Sequence, residues 1–251
     1  MIAAIFSDPG GVRKDNEDAL YCGEVYCGCS MEGTAKIELL GLSFIVAVAD
    51  GMGGVAGGTE AAELILGHLK LLDDSTPIGL AARTSIKTAV AVTLDNFKDL
   101  AAENPDLREM GTTLAGIWVS GDKALVFNCG DSRVYRVHRG FFELLTQDHS
   151  LVFQLYLCGE IAEEGMSSHP LKHILTSSIQ ESHPAPVINF KELNIAPGDS
   201  FFLCTDGVWE ALSHSELSRF ATLPFQEGAD ELSRCLLSKC CKDNISFVWI
   251  Y

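Results

Sequence analysis

Phe44-Ile45-Val46-Ala47-Val48-Ala49-Asp50-Gly51-Met52-Gly53-Gly54 runs from a core strand into a glycine-rich turn through a single acid. The six apolar residues predict a strand inside a hydrophobic core. No apolar run in the chain is longer, and six residues fall far short of a membrane span. Outward from this segment, the N-terminal side predicts further strands at 2–7, 19–26 and 37–40. Two helices follow. One lies at about 58–72, with Ala61, Ile65, Leu69 and Leu72 on one face. The other lies at about 77–102, with Ile86, Val90, Phe97 and Leu100 on one face and Pro77 in its first turn.

Strands return at 112–119, 124–129, 133–138 and 141–145, with Gly121-Asp122 and Arg139-Gly140 as turn signals. A short helix at about 151–159 opens a polar insertion that reaches about residue 182. Strands at 187–193 and 200–204 flank the turn Pro197-Gly198-Asp199. A last helix, with Ala229, Leu232 and Leu236 inward, precedes a closing strand at 245–251. Strands joined by tight turns are antiparallel. With helices inserted between strand groups, the expected class is α+β: a β-sandwich of two antiparallel sheets flanked on both faces by α-helices, in four layers α-β-β-α. No repeat, low-complexity stretch or linker interrupts the chain, so residues 1–251 read as one domain.

Of 251 residues, 18 are Lys or Arg and 34 are Asp or Glu, a formal charge of −16, and 47% are hydrophobic. That is enough apolar material for a sizeable core. The charge argues against nucleic acid and against anionic membranes as partners, since both need a basic surface. The first eight residues are apolar, end at Asp8 and read as a strand rather than a signal peptide. The nine cysteines lack paired C-x-x-C spacing and read as thiols in a reducing interior, which points to the cytoplasm.

Acids recur beside glycine at strand ends. Glu17 and Asp18 precede the strand at Ala19, and Asp50 ends its strand. Asp131 follows Gly130, Asp206 precedes Gly207, and Asp243 opens the last strand. Each alone is an ordinary turn or cap residue. Five such places, each against a core strand, suggest convergence on one edge of the sandwich. Carboxylates gathered there need cations, and oxygen donors match magnesium or manganese. Arg13, four residues before Glu17, supplies a guanidinium suited to a tetrahedral oxyanion, or else a surface salt bridge to Asp15 or Asp18. Metals with an arginine suggest phosphoester hydrolysis.

The motifs Arg13-x-x-Asn16-Glu17-Asp18, Asp50-Gly51-Met52-Gly53-Gly54, Gly111-Thr112-Thr113 and Asn128-Cys129-Gly130-Asp131-Ser132-Arg133 come in order. Thr146-Gln147-Asp148-His149, Thr205-Asp206-Gly207 and Asp243-Asn244 follow. In them the chain resembles the metal-dependent Ser/Thr protein phosphatases (PPM family, type 2C), most closely the bacterial single-domain members. The resemblance implies that water activated between two divalent metals attacks phosphoserine or phosphothreonine in line. Asp50 would bridge the two core ions, Mn2+ or Mg2+, and the Gly51 carbonyl would ligate one. Asp206 and Asp243 would complete one shell, with Glu17 and Asp18 on the other side, directly or through water. Asp131, with Asp206, would hold a weaker third ion, and Arg13 would bind the substrate phosphate. Residues 151–182 would form the family's flap.

Where many eukaryotic members carry a histidine, this chain has Met52. His149 reads as a structural residue rather than the missing acid. His173 and Gln180 replace commoner flap residues, which bears on substrate preference. Pro170 argues against a metal pair of His169 and His173 on one helix. Implied partners are phosphorylated proteins made by a Ser/Thr kinase, handled by a monomer. The residues leave open a phosphatase of small phosphoesters. A non-catalytic pseudophosphatase and a plain acidic interaction module are the other classes considered, and the intact motifs argue against both.

Overall fold

The computed structural model describes residues 1–53, 57–181 and 185–251. Gly54 of the glycine-rich motif and Ser182, at the end of the expected flap, lie outside the described residues. Strands β1 (Ile2–Asp8), β2 (Asp18–Cys22), β3 (Glu24–Cys27), β4 (Ala35–Glu38) and β5 (Ser43–Met52) precede helices α1 (Gly57–Lys70) and α2 (Leu80–Glu103). Next come β6 (Gly111–Thr112), β7 (Leu114–Ser120), β8 (Lys123–Cys129), β9 (Arg133–His138) and β10 (Phe141–Leu144), then the short helices α3 (Leu151–Leu157) and α4 (Glu163–Met166). The chain closes with β11 (Ile179–Gln180), β12 (Asn189–Asn194), β13 (Asp199–Cys204), α5 (Asp206–Trp209), α6 (His214–Phe220), α7 (Phe225–Ser238) and β14 (Ile245–Ile250).

The strands form two antiparallel sheets. One has the order β10-β9-β13-β14-β1-β4. In the other, β2, carrying β3, pairs with one edge of β5, whose other edge pairs with β7 and, at its end, with β6; β8 and β12 continue the sheet beyond β7, and β11 pairs with β6. Alternation along β5 shows why two sheets and two helical layers result. Phe44, Val46 and Val48 pack between the sheets, against Ile5, Phe201 and Val248. Ile45, Ala47 and Ala49 face the other way, against Ile65 and Leu69 of α1 and Ile86 and Phe97 of α2. On the opposite side, Phe6, Phe202 and Phe247 pack on Leu217 of α6 and Leu232 and Leu236 of α7. Three stacked cores thus separate four layers, α-β-β-α.

The expected elements differ from the observed ones in a few places. The strand expected at 19–26 is a hairpin, because Gly23 at φ 76° turns the chain between β2 and β3. Pro77 lies before α2, which begins at Leu80. The strand expected at 112–119 breaks at Thr113, where β6 hands over to β7. Helices α4, α5 and α6 have no counterpart in the periodicity, being one or two turns long. For α6 a signal existed, the capping box of Ser213 and Glu216. Between β10 and β11, Val152, Phe153 and Met166 make a small core of their own.

One buried ion pair fixes the segment that carries Asp131. Arg133, on β9, donates from Nε and Nη2 to the Asp148 carboxylate, the closest contact being 2.7 Å, and lies 3.8 Å from the Trp209 ring centroid. Trp209 in turn donates its indole N–H to the Asp131 carbonyl at 3.0 Å. Asp148→Asn leaves the Arg133 charge buried without a counter-charge. It is expected to cost about 3–5 kcal/mol, read as a lower urea midpoint at unchanged slope; an unaltered midpoint contradicts the assignment.

Candidate active site

Strand register delivers the first two acids together. Asp18 and Asp50 are paired residues of adjacent strands β2 and β5. Their positions share the parity of Leu20, Val46 and Val48, whose side chains fill the space between the sheets. Both carboxylates therefore point into the end of the sandwich, where the apolar filling stops. Asp206 enters at the same end as the first residue after Thr205, beyond β13, and Asp243 lies just before β14. The turn after β8 carries Asp131.

Backbone and side-chain clamps hold these tips. The Asp50 N–H donates to Thr113 Oγ1 at 3.0 Å, and the Asp50 carbonyl accepts from Thr112 Oγ1 at 3.0 Å and the Thr113 N–H at 2.9 Å. Gly51 packs so closely on the start of α1 that a Cβ there would lie 2.1 Å from the Gly58 carbonyl oxygen. Asn244 organises the loop between β1 and β2. Its Oδ1 accepts the Glu17 N–H at 2.9 Å, and its Nδ2 donates to the carbonyls of Pro9 at 3.1 Å and Asp15 at 2.9 Å. Asn16 does the same one step further in, donating to Ser7 Oγ and accepting the Asp18 N–H at 3.1 Å. Asp18 is 0% exposed, with Thr205 Oγ1 donating to its Oδ2 at 2.8 Å.

A cavity of about 290 Å³ opens at this end. Arg13, Glu17, Asp50, Gly51, Asp131, Asp206 and Asp243 line it together with Met52, Thr113, His173 and Asn244. All but one of the expected site residues thus meet in one cavity, and the remaining one, Asp18, is buried among the strand tips. Arg13 sits at the rim, its Nη2 donating to Asp243 Oδ2 at 3.0 Å.

The carboxylates resist ionisation in this arrangement. Burial and repulsion from Asp206, Asp18, Asp131 and Asp243 hold the Asp50 carboxyl well above the usual carboxylate range. Burial, then repulsion from Asp131, Asp243 and Glu210, does the same to Asp206. Burial pushes Asp18 and Asp131 up to about 7, and raises Glu17. Asp243 instead holds Arg13 more firmly protonated. Glu17 Oε1, Asp18 Oδ1 and Asp206 Oδ1 are buried with no hydrogen-bond partner. Buried oxygens of this kind are costly unless satisfied. An all-oxygen donor set with several unsatisfied atoms fits hard divalent ions, and its five core carboxylates nearly balance the charge of two of them.

The roles of Asn16, Asn244, Thr113 and Thr205 are hidden in the motifs; the one signal is an asparagine next to an acid, Asn16 before Glu17 and Asn244 after Asp243. His149 is held from both sides. Its Nδ1 accepts the Gly130 N–H at 3.1 Å, and its Nε2 lies 2.9 Å from Asn189 Nδ2, away from the cavity lining. His173 takes a different place. It lines the cavity, and one ring nitrogen and oxygens of Asp206 and Glu210 lie within 4.8 Å of one another. Only Asp206 and Glu210, four apart, hint at this in sequence. His169 and His173 stand in a turn, not on one helix.

A family model described as protein phosphatase 2C matches residues 34–243. The serine/threonine protein phosphatase PstP of Mycobacterium tuberculosis is 32% identical over 244 residues, which are 96% of this chain and 43% of that protein. This chain therefore spans less than half of that relative. The serine/threonine phosphatase stp of Listeria innocua is 34% identical over 223 residues, 86% of this chain and 81% of the relative. A solved structure of the PstP catalytic domain in complex with two manganese ions superposes with a TM-score of 0.79 at 27% identity. The match covers 99% of this chain and 98% of that one.

The raised carboxylates set a direction for stability in chelator. A folded carboxyl titrating near 7, against an ordinary 3.8, keeps a proton that the unfolded chain has already lost. The folded state then binds more protons, so stability falls as pH rises from about 4 to about 7 and stays low above it, by a few kcal/mol in order of magnitude. Unfolding in urea at pH 5 and pH 8 checks this; stability rising over that interval without metal contradicts it. Manganese added at pH 8 is expected to raise the midpoint.

Proposed function

The chain belongs to the protein phosphatase 2C family, and on that premise we propose that it hydrolyses phosphoserine and phosphothreonine on proteins. The observation that carries this reading is the meeting of Glu17, Asp18, Asp50, Asp206 and Asp243 at one end of the sandwich, with unsatisfied oxygens and Arg13 at the rim. We assign the catalytic roles to Arg13, Asp50 and Asp206. Two divalent ions would be held by Asp50 between them, with the Gly51 carbonyl, Asp206, Asp243, Glu17 and Asp18 around them. Asp131 with Asp206 would hold a third. Manganese or magnesium suits these donors, and bound there they supply the Lewis acidity that makes a water nucleophilic near neutral pH.

The protein's own groups do the rest. Arg13 donates one N–H to Asp243 and keeps its other donors for a phosphoryl group entering the cavity. Thr112 and Thr113 lock the Asp50 backbone, so this strand end does not shift as charge moves. Met52 has no proton to give, so the departing seryl or threonyl oxygen takes its proton from elsewhere. The catalytic unit in this reading is the whole sandwich, with the segment at 151–182 as a flap beside the cavity. Its substrates are products of a Ser/Thr kinase, met by a monomer in the cytoplasm. A charge of −16 is unfavourable for nucleic acid and anionic membranes, and no described helix is long and apolar enough to cross a membrane.

Protein stripped with chelator is expected to release phosphate from a phosphothreonine peptide only when manganese or magnesium is returned. Asp50→Asn and Asp206→Asn are expected to lower kcat on the order of 10³-fold with the circular dichroism unchanged. Arg13→Ala is expected to lower kcat/KM by about 10- to 100-fold. Equal release with and without metal sinks the reading, as does full activity in both aspartate variants.

A further inference from the structure

A second cleft adjoins the catalytic cavity. Its volume is about 850 Å³, and it shares Arg13, His173 and Asp243 with that cavity. One phosphoryl group needs far less room. Its lining reverses the character of the molecule, with four cations, Arg13, Lys172, Lys239 and Lys242, against two acids, Glu210 and Asp243. Four of the chain's 18 cations thus gather beside the reaction centre of a protein carrying −16.

The local pairing leaves positive charge unspent. Lys172 pairs with Glu210, and Arg13 with Asp243. Lys239 reaches Glu216 and the Ala211 carbonyl, both at 3.0 Å, while its side chain stays 35% exposed. Lys242 is exposed and forms no ion pair among the described residues. The lysines are also held at a fixed offset from Arg13. Cys240 adopts φ 48°, an unfavourable conformation for a residue with a Cβ, and this turns the chain between the two lysines. The Arg13 loop docks on that turn. The Gly11 N–H donates to the Cys241 carbonyl at 2.8 Å, and a Cβ on Gly11 would lie 2.8 Å from Cys240 Cα. Cys240 is the residue after the C-cap of α7, where a left-handed conformation ends the helix, so the end of α7 sets the place of both lysines.

We propose that this cleft is a substrate subsite that receives acidic side chains flanking the phosphorylated residue. The proposal rests on the phosphatase reading and adds to it a substrate class: phosphoproteins whose site has aspartate or glutamate on one side. With the phosphate at Arg13, the neighbouring residues of an extended chain run along the cleft, past Lys239 and Lys242. Elsewhere the acidic surface repels the same segment, so the cleft fixes direction and register as well as adding attraction.

Three phosphothreonine peptides of equal length test this: one with neutral flanks, one with three aspartates before the phosphothreonine and one with three after it. With manganese-loaded protein, one acidic peptide is expected to exceed the neutral one in kcat/KM by about fivefold at low salt. The preference is expected to shrink to less than about twofold at high ionic strength. The same collapse is expected in K239A/K242A, and K242E is expected to push the ratio below one. Turnover of the neutral peptide within each variant is the internal reference. Equal rates on all three peptides with native protein overturn the subsite while leaving the phosphatase reading standing, and so does a preference that survives in K239A/K242A. No metal-dependent release from any peptide overturns the phosphatase reading, and the subsite with it.

Discussion

Asp18 and Asp50 sit side by side on neighbouring strands, at the point where the hydrophobic filling of the sandwich ends. Two carboxylates in that register, with Asp131, Asp206 and Asp243 close enough to raise their protonation further, oppose folding rather than favour it. The rest of the molecule can be understood as what keeps them in place. Three layered cores supply the favourable free energy, and the tips of β2, β5, β13 and β14 are held where hydration and charge alone would push them apart. A site of this kind is stable when the missing positive charge is supplied, so its cost and its capacity to bind cations have one origin.

The holding is local and polar. Buried Ser7, Asn16, Thr205, Asn244 and Ser246 close the end of the sandwich below the acids. They hydrogen-bond one another or the backbone, with Thr205 also donating to Asp18 Oδ2, so the apolar core is sealed at the cost of few carboxylate oxygens. That is why Glu17, Asp18 and Asp206 each keep an unsatisfied oxygen while the asparagines beside them are fully engaged. The second anchor, Arg133 with Asp148 and Trp209, works from the other sheet and sets the turn that carries Asp131. Rigid strand ends, rather than mobile loops, therefore carry most of the site.

Charge is distributed unevenly on three scales. The chain as a whole is strongly acidic, and the cavity lined by the carboxylates is more acidic still. The neighbouring cleft is basic, and the two meet at Arg13 and Asp243. The single ion pair Arg13–Asp243 stands on that boundary. A phosphorylated chain crossing it would meet cation-holding groups on one side and lysines on the other, which gives the site a direction that a symmetric acidic funnel would lack.

The layer architecture was legible in the chain alone, because hydrophobic periodicity and turn residues are local signals. The apolar run into Asp50, the helical faces around Ile65 and Ile86, and the tight turns at Gly121 and Gly140 need no long-range information. It also singled out the acids that now share one end, since each lies at the end of a strand and Asp50, Asp131 and Asp206 lie beside glycine. Boundaries failed at Gly23, where a glycine at positive φ turns the chain into a hairpin, at Pro77, which precedes α2, and at Thr113, where strand partners change between β6 and β7. Distance between residues became legible only in the folded molecule. The opposition of Asp18 and Asp50 depends on strand register, and the clamp of Asn244 on Glu17 spans most of the chain. The approach of His173 to Asp206 and Glu210, and the basic cleft joining Arg13 to Lys172, Lys239 and Lys242, likewise join residues that no sequence spacing connects. Sequence periodicity reports which face a residue occupies; only packing reports what stands across from it.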